Sequence, residues 1–498
     1  MSLSASLKDQ VLERDTFISK WVHEEAMNKC VEDNRPFHEI ADEQFEKLVD
    51  HNIIQPVDKG IDGKVNTFRV QGMMFEYIRQ KAVCDNYATF ICKDNSGDER
   101  LPKSGATIHR LVYRSSIAEV PGSTSLDSNL SQVRSATISG HAGRQLLKAL
   151  NKSENLQELN LDDCNDLSNV SLNLSKFTEL RYLRVNRCTK LSKKTVKKTM
   201  KLHRLAILDI RDTNVDTLPI QVTQHSNLAV IVGRFGVPCK NNKRKIRKLR
   251  KLYQKSKLQK IEGLCVDGSV VFMECLRYMP KLSVLKLCCR QDAENGDFRP
   301  EIIASSLTAC ERISSLSFDF SNVYPLDFLN VIRNGSFPLL VTLELRGQLS
   351  KLPTFIPQLD RLNHLALSET NLGLASLLEL AHMPALSRLY LFEKKPNLYQ
   401  EAEFVIQRGQ FPRLQHLSIA TPRMPKIVIE DGALPGLQTL ELFFLQWDGI
   451  SGIHHLTRLK EIVLDANASG ETLRVLSEEA SLHAIKLRIK RNLITSSS

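Results

Sequence analysis

The chain has 498 residues, 42% hydrophobic and 6% aromatic, with 68 basic against 56 acidic side chains and a net charge of +12. That length allows two or three compact domains or one long repeat array. No apolar run approaches the roughly 18 residues of a membrane span, and the opening MSLSASLKDQVLERD has no apolar core of signal-peptide length. Eleven cysteines, an odd number without a C-x-x-C pair, fit thiols used as small core residues in a reducing compartment.

In chain order, Phe17, Ile18, Trp21 and Val22 share one face of an expected helix entered near Asp15. Ile40, Ala41, Phe45, Leu48 and Val49 mark a second helix. IIQPV and KVNTFRV flank the turn-rich DKGIDG and read as a β-hairpin, and Met74, Tyr77 and Ile78 mark a third helix. Residues 1–92 are therefore expected to form a winged-helix-like α+β module, followed by a linker over 93–106. Its second helix presents Glu39, Asp42, Glu43, Glu46 and Asp50 against Lys47 alone. Such a surface repels phosphate, which argues for a structural role over DNA reading. The Gly63-Lys64 pair is a turn glycine and no phosphate loop, since Gly60 lies too close and Val65 stands where a Ser or Thr is required.

From residue 107 to 498 the pattern L-x-x-L-x-L recurs, cleanly in LQELNL at Leu156, LRYLRV at Leu180, LNHLAL at Leu362 and LQTLEL at Leu437. Degenerate copies begin at Ile108, Val133, Leu228, Ile261 and Ile313, and the last begins at Leu482, giving about sixteen units. Within each unit the final apolar pair alternates on a short strand and points inward. One unit cannot bury that edge alone, so neighbours stack. Pro280, Pro338, Pro384, Pro412 and Pro435 punctuate the return segments just before strands. The expected fold class is an α/β solenoid, a leucine-rich-repeat horseshoe preceded by the small N-terminal module.

The stretch KNNKRKIRKLRKLYQKSKLQK, from Lys240 to Lys260, holds eleven Lys or Arg and no acid, and without it the net charge falls to +1. Ile246, Leu249 and Leu252 or Tyr253 recur at helical spacing, so the run is expected as a solvated helix on a convex return segment. A second basic stripe runs from Lys190 to Lys201. Nuclear import or a phosphate-contacting patch are the competing readings; binding to nucleic acid is expected to be at most weak and non-specific.

VLERDTFISKWVHEEAM, EIADEQFEKLVDHNIIQPVD and GKVNTFRVQGMMFEYI resemble the winged-helix subdomain of plant nucleotide-binding leucine-rich-repeat immune receptors, and the resemblance continues into the repeats. It implies a C-terminal portion of such a receptor that lacks the phosphate-binding domain, a truncated receptor or a fragment. It also implies repeats that sense a pathogen effector, a guarded host protein or another immune receptor. The family carries a Met or Val, His, Asp triplet whose His approaches ADP; here it reads Val70, Gln71, Gly72, so no cofactor is expected, and ADP or ATP only if the missing domain is supplied. A cytoplasmic place is implied, with the nucleus open to an import signal. A substrate adaptor for ubiquitin ligation and a winged-helix DNA-binding protein are the alternatives. The first lacks a visible F-box-like segment, and the second has the acidic helix against it.

No G-x-S-x-G elbow or H-E-x-x-H helix exists, so no catalytic residue is assigned. No metal ligands are assigned either. The adjacent His454 and His455 are expected on opposite sides of a strand, and Asp162, Asp163 and Asp166 as solvated loop carboxylates. Counting outward strand positions places Tyr182, Arg184 and Arg187 near one end of the array. Arg388, Tyr390, Phe392, Phe443 and Phe444 fall near the other, with Trp447 just beyond. Aromatic and Arg side chains carry most interface energy, which makes these the candidate protein-binding residues.

Overall fold

The computed structural model describes residues 11–14, 17–18, 21, 37–59, 65–93, 107–116, 130–165, 174–191, 193–221, 225–238, 243–267, 269–290, 298–321, 323–395, 403–465, 468–483 and 487–492. Contacts divide the described chain into two compact units. One holds the residues up to Pro238 with Lys255–Gly263; the other holds residues 243–254 and those from Leu264 onward.

The first unit opens with a three-stranded antiparallel sheet of β1 (Leu12–Glu13), β2 (Ile54–Lys59) and β3 (Val65–Val70), in the order β1-β3-β2. Helices α1 (Phe37–Asp50) and α2 (Gly72–Cys84) also belong to the module, and Phe17, Ile18 and Trp21 are helical. Ala41 and Phe45 recur at i, i+4 on α1 and meet Phe17, Ile18 and Phe68 in one apolar cluster. Phe45 packs edge-on to Phe68 at 5.1 Å and Phe17 to Phe68 at 5.4 Å. Arg14 is buried with its guanidinium 5.1 Å over the Phe45 ring and donates to Asp42 at 2.8 Å. Strand β1 was not anticipated, because two residues are too few to show a period. Val22, the Gly63-Lys64 pair and most of the expected linker lie outside the described residues.

The triplet falls at a junction. Val70 ends β3, Gln71 is the N-cap of α2 and Gly72 is its first residue; no acid occupies the first turn, and a Cβ on Gly72 would meet nothing within 4 Å. Gly72→Asp should therefore stabilise the module by about 1 kcal/mol, from lost unfolded-state freedom and from a carboxylate at the positive helix end. Urea denaturation checks this; a lowered midpoint would contradict the assigned backbone.

The parallel ladder begins earlier than expected. Strand β4 (Thr89–Lys93) pairs in parallel with β5 (Arg110–Ser115), so the ladder includes a strand ahead of residue 107. The ladder continues through β6 (Ser135–Gly140), β7 (Glu158–Asp162), β8 (Tyr182–Asn186), β9 (Ile207–Asp209) and β10 (Val230–Phe235). Next comes β11 (Lys260–Cys265), where the backbone N–H groups of Gln259 and Lys260 both donate to the Ala229 carbonyl. That register makes buried Leu258, not Ile261, the first leucine of the unit. The basic insert had disguised it.

In the second unit the parallel ladder runs through β12 (Val284–Cys288), β13 (Ser315–Ser321), β14 (Thr342–Gly347), β15 (His364–Ser368) and β16 (Arg388–Phe392). Two short accessory sheets flank it: β17 (Glu403–Ile406), β20 (Lys426–Ile429) and β23 (Ile450–Ser451) form one, and β19 (Arg423–Met424) with β22 (Gln446–Trp447) the other. The main ladder passes from β16 to β18 (His416–Ala420), β21 (Thr439–Phe443), β24 (Glu461–Asp465) and β25 (Arg488–Asn492). Its inward residues, such as Leu343, Leu345, Leu365, Leu367, Leu389 and Leu391, are all buried. The last unit was misplaced from sequence: Leu482 caps the helix Gly470–Ser481 and is 64% exposed, and the strand starts at Arg488. Ser469 accepts a bond from the Thr472 N–H and starts that helix, whose C-cap falls on the leucine assigned to open a strand.

The basic run forms the helix Lys243–Tyr253. Leu249 and Tyr253, four apart, are buried, and Tyr253 meets Phe272 edge-on at 5.9 Å; Leu252 is exposed. Arg250 lies 5.0 Å over the Tyr278 ring, whereas Arg247 and Lys251 face solvent. Phe272 belongs to the return helix Val270–Leu276, so the basic helix packs by one narrow apolar seam on the return side of its unit.

Candidate functional site

Outward strand positions are set by the same alternation that builds the core. On β8 the outward residues are Tyr182, Arg184 and Asn186, registered against Ile207 and Asp209 of β9 and against Glu158, Asn160 and Asp162 of β7. A charged lattice results. Asp209, 3% exposed, accepts three bonds from Arg211, at 3.2 Å from its backbone N–H, 3.1 Å from Nε and 2.8 Å from Nη2, with Arg184 Nε 3.7 Å away. Burial alone would raise the Asp209 carboxyl; the charge and hydrogen bonds of Arg211, with Arg184 behind them, hold it below its ordinary value. Burial also works against the charge on Arg211, and Asp209 overcomes it. The other side of Arg211 reaches Glu13 of β1 at 2.6 Å, so a strand of the N-terminal module touches the strand face of its own unit.

Arg187 grips Asp163 through Nε and Nη2 at 2.8 and 2.9 Å and reaches Asp162 at 2.9 Å. Asp162 is buried and also accepts from Asn186, so the expectation of solvated loop carboxylates fails for it: an arginine one repeat later covers it. Asp166 lies outside the described residues. Tyr182 is 2% exposed, and burial pushes its phenol above the ordinary value. The space beside this lattice is about 10 Å³, no larger than one water. Of the three residues assigned to this end, only Arg187 is exposed; Tyr182 and Arg184 are buried.

In the second unit the candidate residues divide in the same way. Arg388 is exposed, and Phe392 and Phe443 are half-buried, each registered against Ala420. Tyr390 is 1% exposed. Its register neighbours Ala366 and Ser418 are small, and its ring lies between the imidazoles of His364, at 5.1 Å, and His416, at 5.0 Å. His416 in turn sits 3.4 Å from Glu441. Phe444 falls beyond the end of β21, is buried and stacks on Trp447 at 5.1 Å. His454 and His455 occupy a 3-10 turn with rings 4.0 Å apart, not opposite faces of a strand.

Sequence reasoning missed His364, His416, Asp209 and Arg211. All follow from counting outward positions in every repeat and not only where an aromatic residue stands out.

The profile of leucine-rich repeat regions matches residues 132–492. The chain is 30% identical over 486 residues to the disease resistance protein RGA4 of Oryza sativa subsp. japonica, covering 95% of this chain and 46% of that protein. It is 27% identical over 522 residues to the disease resistance protein Pik-2 of the same organism, covering 95% and 50%. It thus spans about half the length of these relatives. Among solved structures, a leucine-rich repeat protein of Leptospira interrogans aligns with a TM-score of 0.38 at 15% identity, covering 72% of this chain and 90% of that one. No helix among the described residues is long and apolar enough to cross a membrane. With its stacked L-x-x-L-x-L strands and its matched repeat region, the chain belongs to the leucine-rich repeat family, and its relatives are plant disease resistance proteins.

Proposed function

We propose that the chain is the recognition portion of a non-catalytic, cytoplasmic plant immune receptor, whose repeats bind a pathogen effector or a guarded host protein. The observation that carries this is the similarity to rice disease resistance proteins along 95% of the chain. The altered triplet agrees with it: Gln71 is exposed and makes no side-chain cap bond, and Gly72 has no side chain to offer a nucleotide. Arg388, Phe392 and Phe443 are accessible on the strand face of the second unit, and an exposed arginine with two half-buried aromatics has the chemistry of an interface anchor.

The test is cross-linking of the tagged chain in infected leaf tissue, followed by affinity measurement with the recovered protein. Alanine at Arg388, Phe392 or Phe443 should weaken binding by roughly 1–2 kcal/mol for at least one of the three. Three neutral substitutions in folded protein would remove the strand face from the reading.

A further inference from the structure

A groove of about 340 Å³ lies on the edge of the second unit, where chain enters the strands β15, β16, β18, β21 and β24. The residue just before each first core leucine lines this edge, and from β15 to β24 it reads Arg361, Ala385, Arg413, Gly436, Arg458. Arginine alternates with a small residue, and the groove opens over Ala385 and Gly436. Beside them runs a second row, Asn363, Ser387, Gln415 and Gln438, tied together by backbone bonds from each to the next. Ser387 donates to the Asn363 side chain at 2.8 Å and Lys460 to that of Gln438 at 3.0 Å.

Arg413 and Arg458 are exposed, and among the described residues neither makes an ion pair. No acid lines the groove; the nearest in sequence are Asp360, Glu441 and Glu461, each three residues from a lining position, with Glu441 beside His416 and Glu461 paired with Lys490. Two desolvatable guanidinium forks thus face a polar trough with amide groups along one wall. Each fork matches a carboxylate in bidentate geometry. Neighbouring strands are about 4.8 Å apart, so arginines two strands apart stand about 10 Å from each other. A polyproline-type chain rises about 3.1 Å per residue with three residues per turn, which brings every third side chain to one face about 9 Å on.

We propose that this groove binds an extended acidic peptide segment, with carboxylates three residues apart on Arg413 and Arg458 and its backbone along Gln415 and Gln438. The proposal rests on the protein-recognition reading and names the chemistry of a partner segment. Nucleic acid fits less well, because no aromatic side chain lines the groove to stack a base.

The experiment uses the full chain and a fluorescein-labelled peptide, Gly-Glu-Pro-Pro-Glu-Pro-Pro-Glu-Gly, read by fluorescence anisotropy at physiological ionic strength. A peptide of the same composition with the three glutamates contiguous is the control. The spaced peptide should bind several-fold more tightly, and Arg413→Gln or Arg458→Gln should each weaken it by about tenfold. Ala385→Trp, which fills the trough, should abolish binding, with thermal melting showing each variant folded. Equal binding of the two peptides, or indifference to the arginine variants, overturns the proposal. So does displacement of the peptide by single-stranded DNA or inorganic polyphosphate at lower concentration than by unlabelled peptide, which would make this an anion site of another class. If the peptide fails while Phe392→Ala and Phe443→Ala still release the cross-linked partner, the groove falls and protein recognition by the strand face stands.

Discussion

Replacing Asp209 by Ala should lower the unfolding free energy by about 3 kcal/mol, the size expected when one partner of a buried ion pair is removed. Asp209 is 3% exposed and takes two side-chain hydrogen bonds from Arg211, which is itself largely covered, and Arg184 adds a second cation. Without the carboxylate, two guanidinium groups remain close together in a poorly solvated place, and Arg211 loses the strongest of the acids that act on it, keeping Glu13 and the more distant Glu262. Lys426 and Glu403 give the control. Their nitrogen–oxygen distance is 2.9 Å, almost the same as the 2.8 Å of Arg211 and Asp209, yet both side chains are more than two-fifths exposed. Water screens that pair, and Lys426→Ala should change stability by less than about 1 kcal/mol. Urea denaturation of both variants decides between burial and distance as the controlling quantity. Equal losses would mean that the strand-face lattice is as hydrated as the surface.

The pH dependence follows with a definite sign. The Asp209 carboxyl sits below its ordinary value in the folded chain, so the unfolded chain binds its proton more readily. Its contribution is fully present above the ordinary aspartate value of 3.8 and is lost as pH falls through the depressed folded value. The acid-induced weakening of wild type relative to Asp209→Ala should therefore appear below about pH 4.

What could be read from the chain alone was whatever repeats locally. Leucine at fixed offsets reports the inward strand positions, because a residue two places on returns to the same face, and the main-ladder strands from β5 to β24 follow from it, whereas the five accessory strands do not. Two registers slipped where a unit departs from the common length. At Leu258 the basic helix lengthens the return path, and near Leu482 the helix begun at Ser469 ends on the leucine that resembles the start of a strand motif. The candidate site was legible only as a direction. Alternation correctly turns Tyr182, Arg184 and Tyr390 outward, but whether an outward residue meets solvent depends on neighbours a full repeat away. Asp162 is buried by Arg187, 25 positions later, and Tyr390 by His364 and His416. No local window contains both partners. Choosing candidates by aromatic character compounded this, since a large ring beside small register neighbours is the residue best able to bury itself.

Tyr390→Ala should consequently behave as a core substitution, costing about 3–5 kcal/mol and leaving little folded protein in a marginal background. The ring is 1% exposed and makes contacts on both sides with imidazoles, over the short side chains of Ala366 and Ser418. Truncation would leave a void that those small neighbours cannot fill, and the surrounding strands are held in register by ladder hydrogen bonds that resist collapse. Phe392→Ala, one outward position further along the same strand, removes a half-buried ring and should cost less than half as much. Tyr390→Phe keeps the ring and should retain most of the stability, losing only what the hydroxyl contributes, about 1 kcal/mol. Thermal and urea unfolding of the three variants separate the cases. If Tyr390→Ala were as stable as Phe392→Ala, the ring would have to be accessible, and Tyr390 would return to the set of residues free to meet a partner. If it is far less stable, loss of binding in that variant reports unfolding. The recognition surface must then be mapped with Arg388, Phe392 and Phe443 on a folded background, because those side chains are not buried in the ladder that presents them.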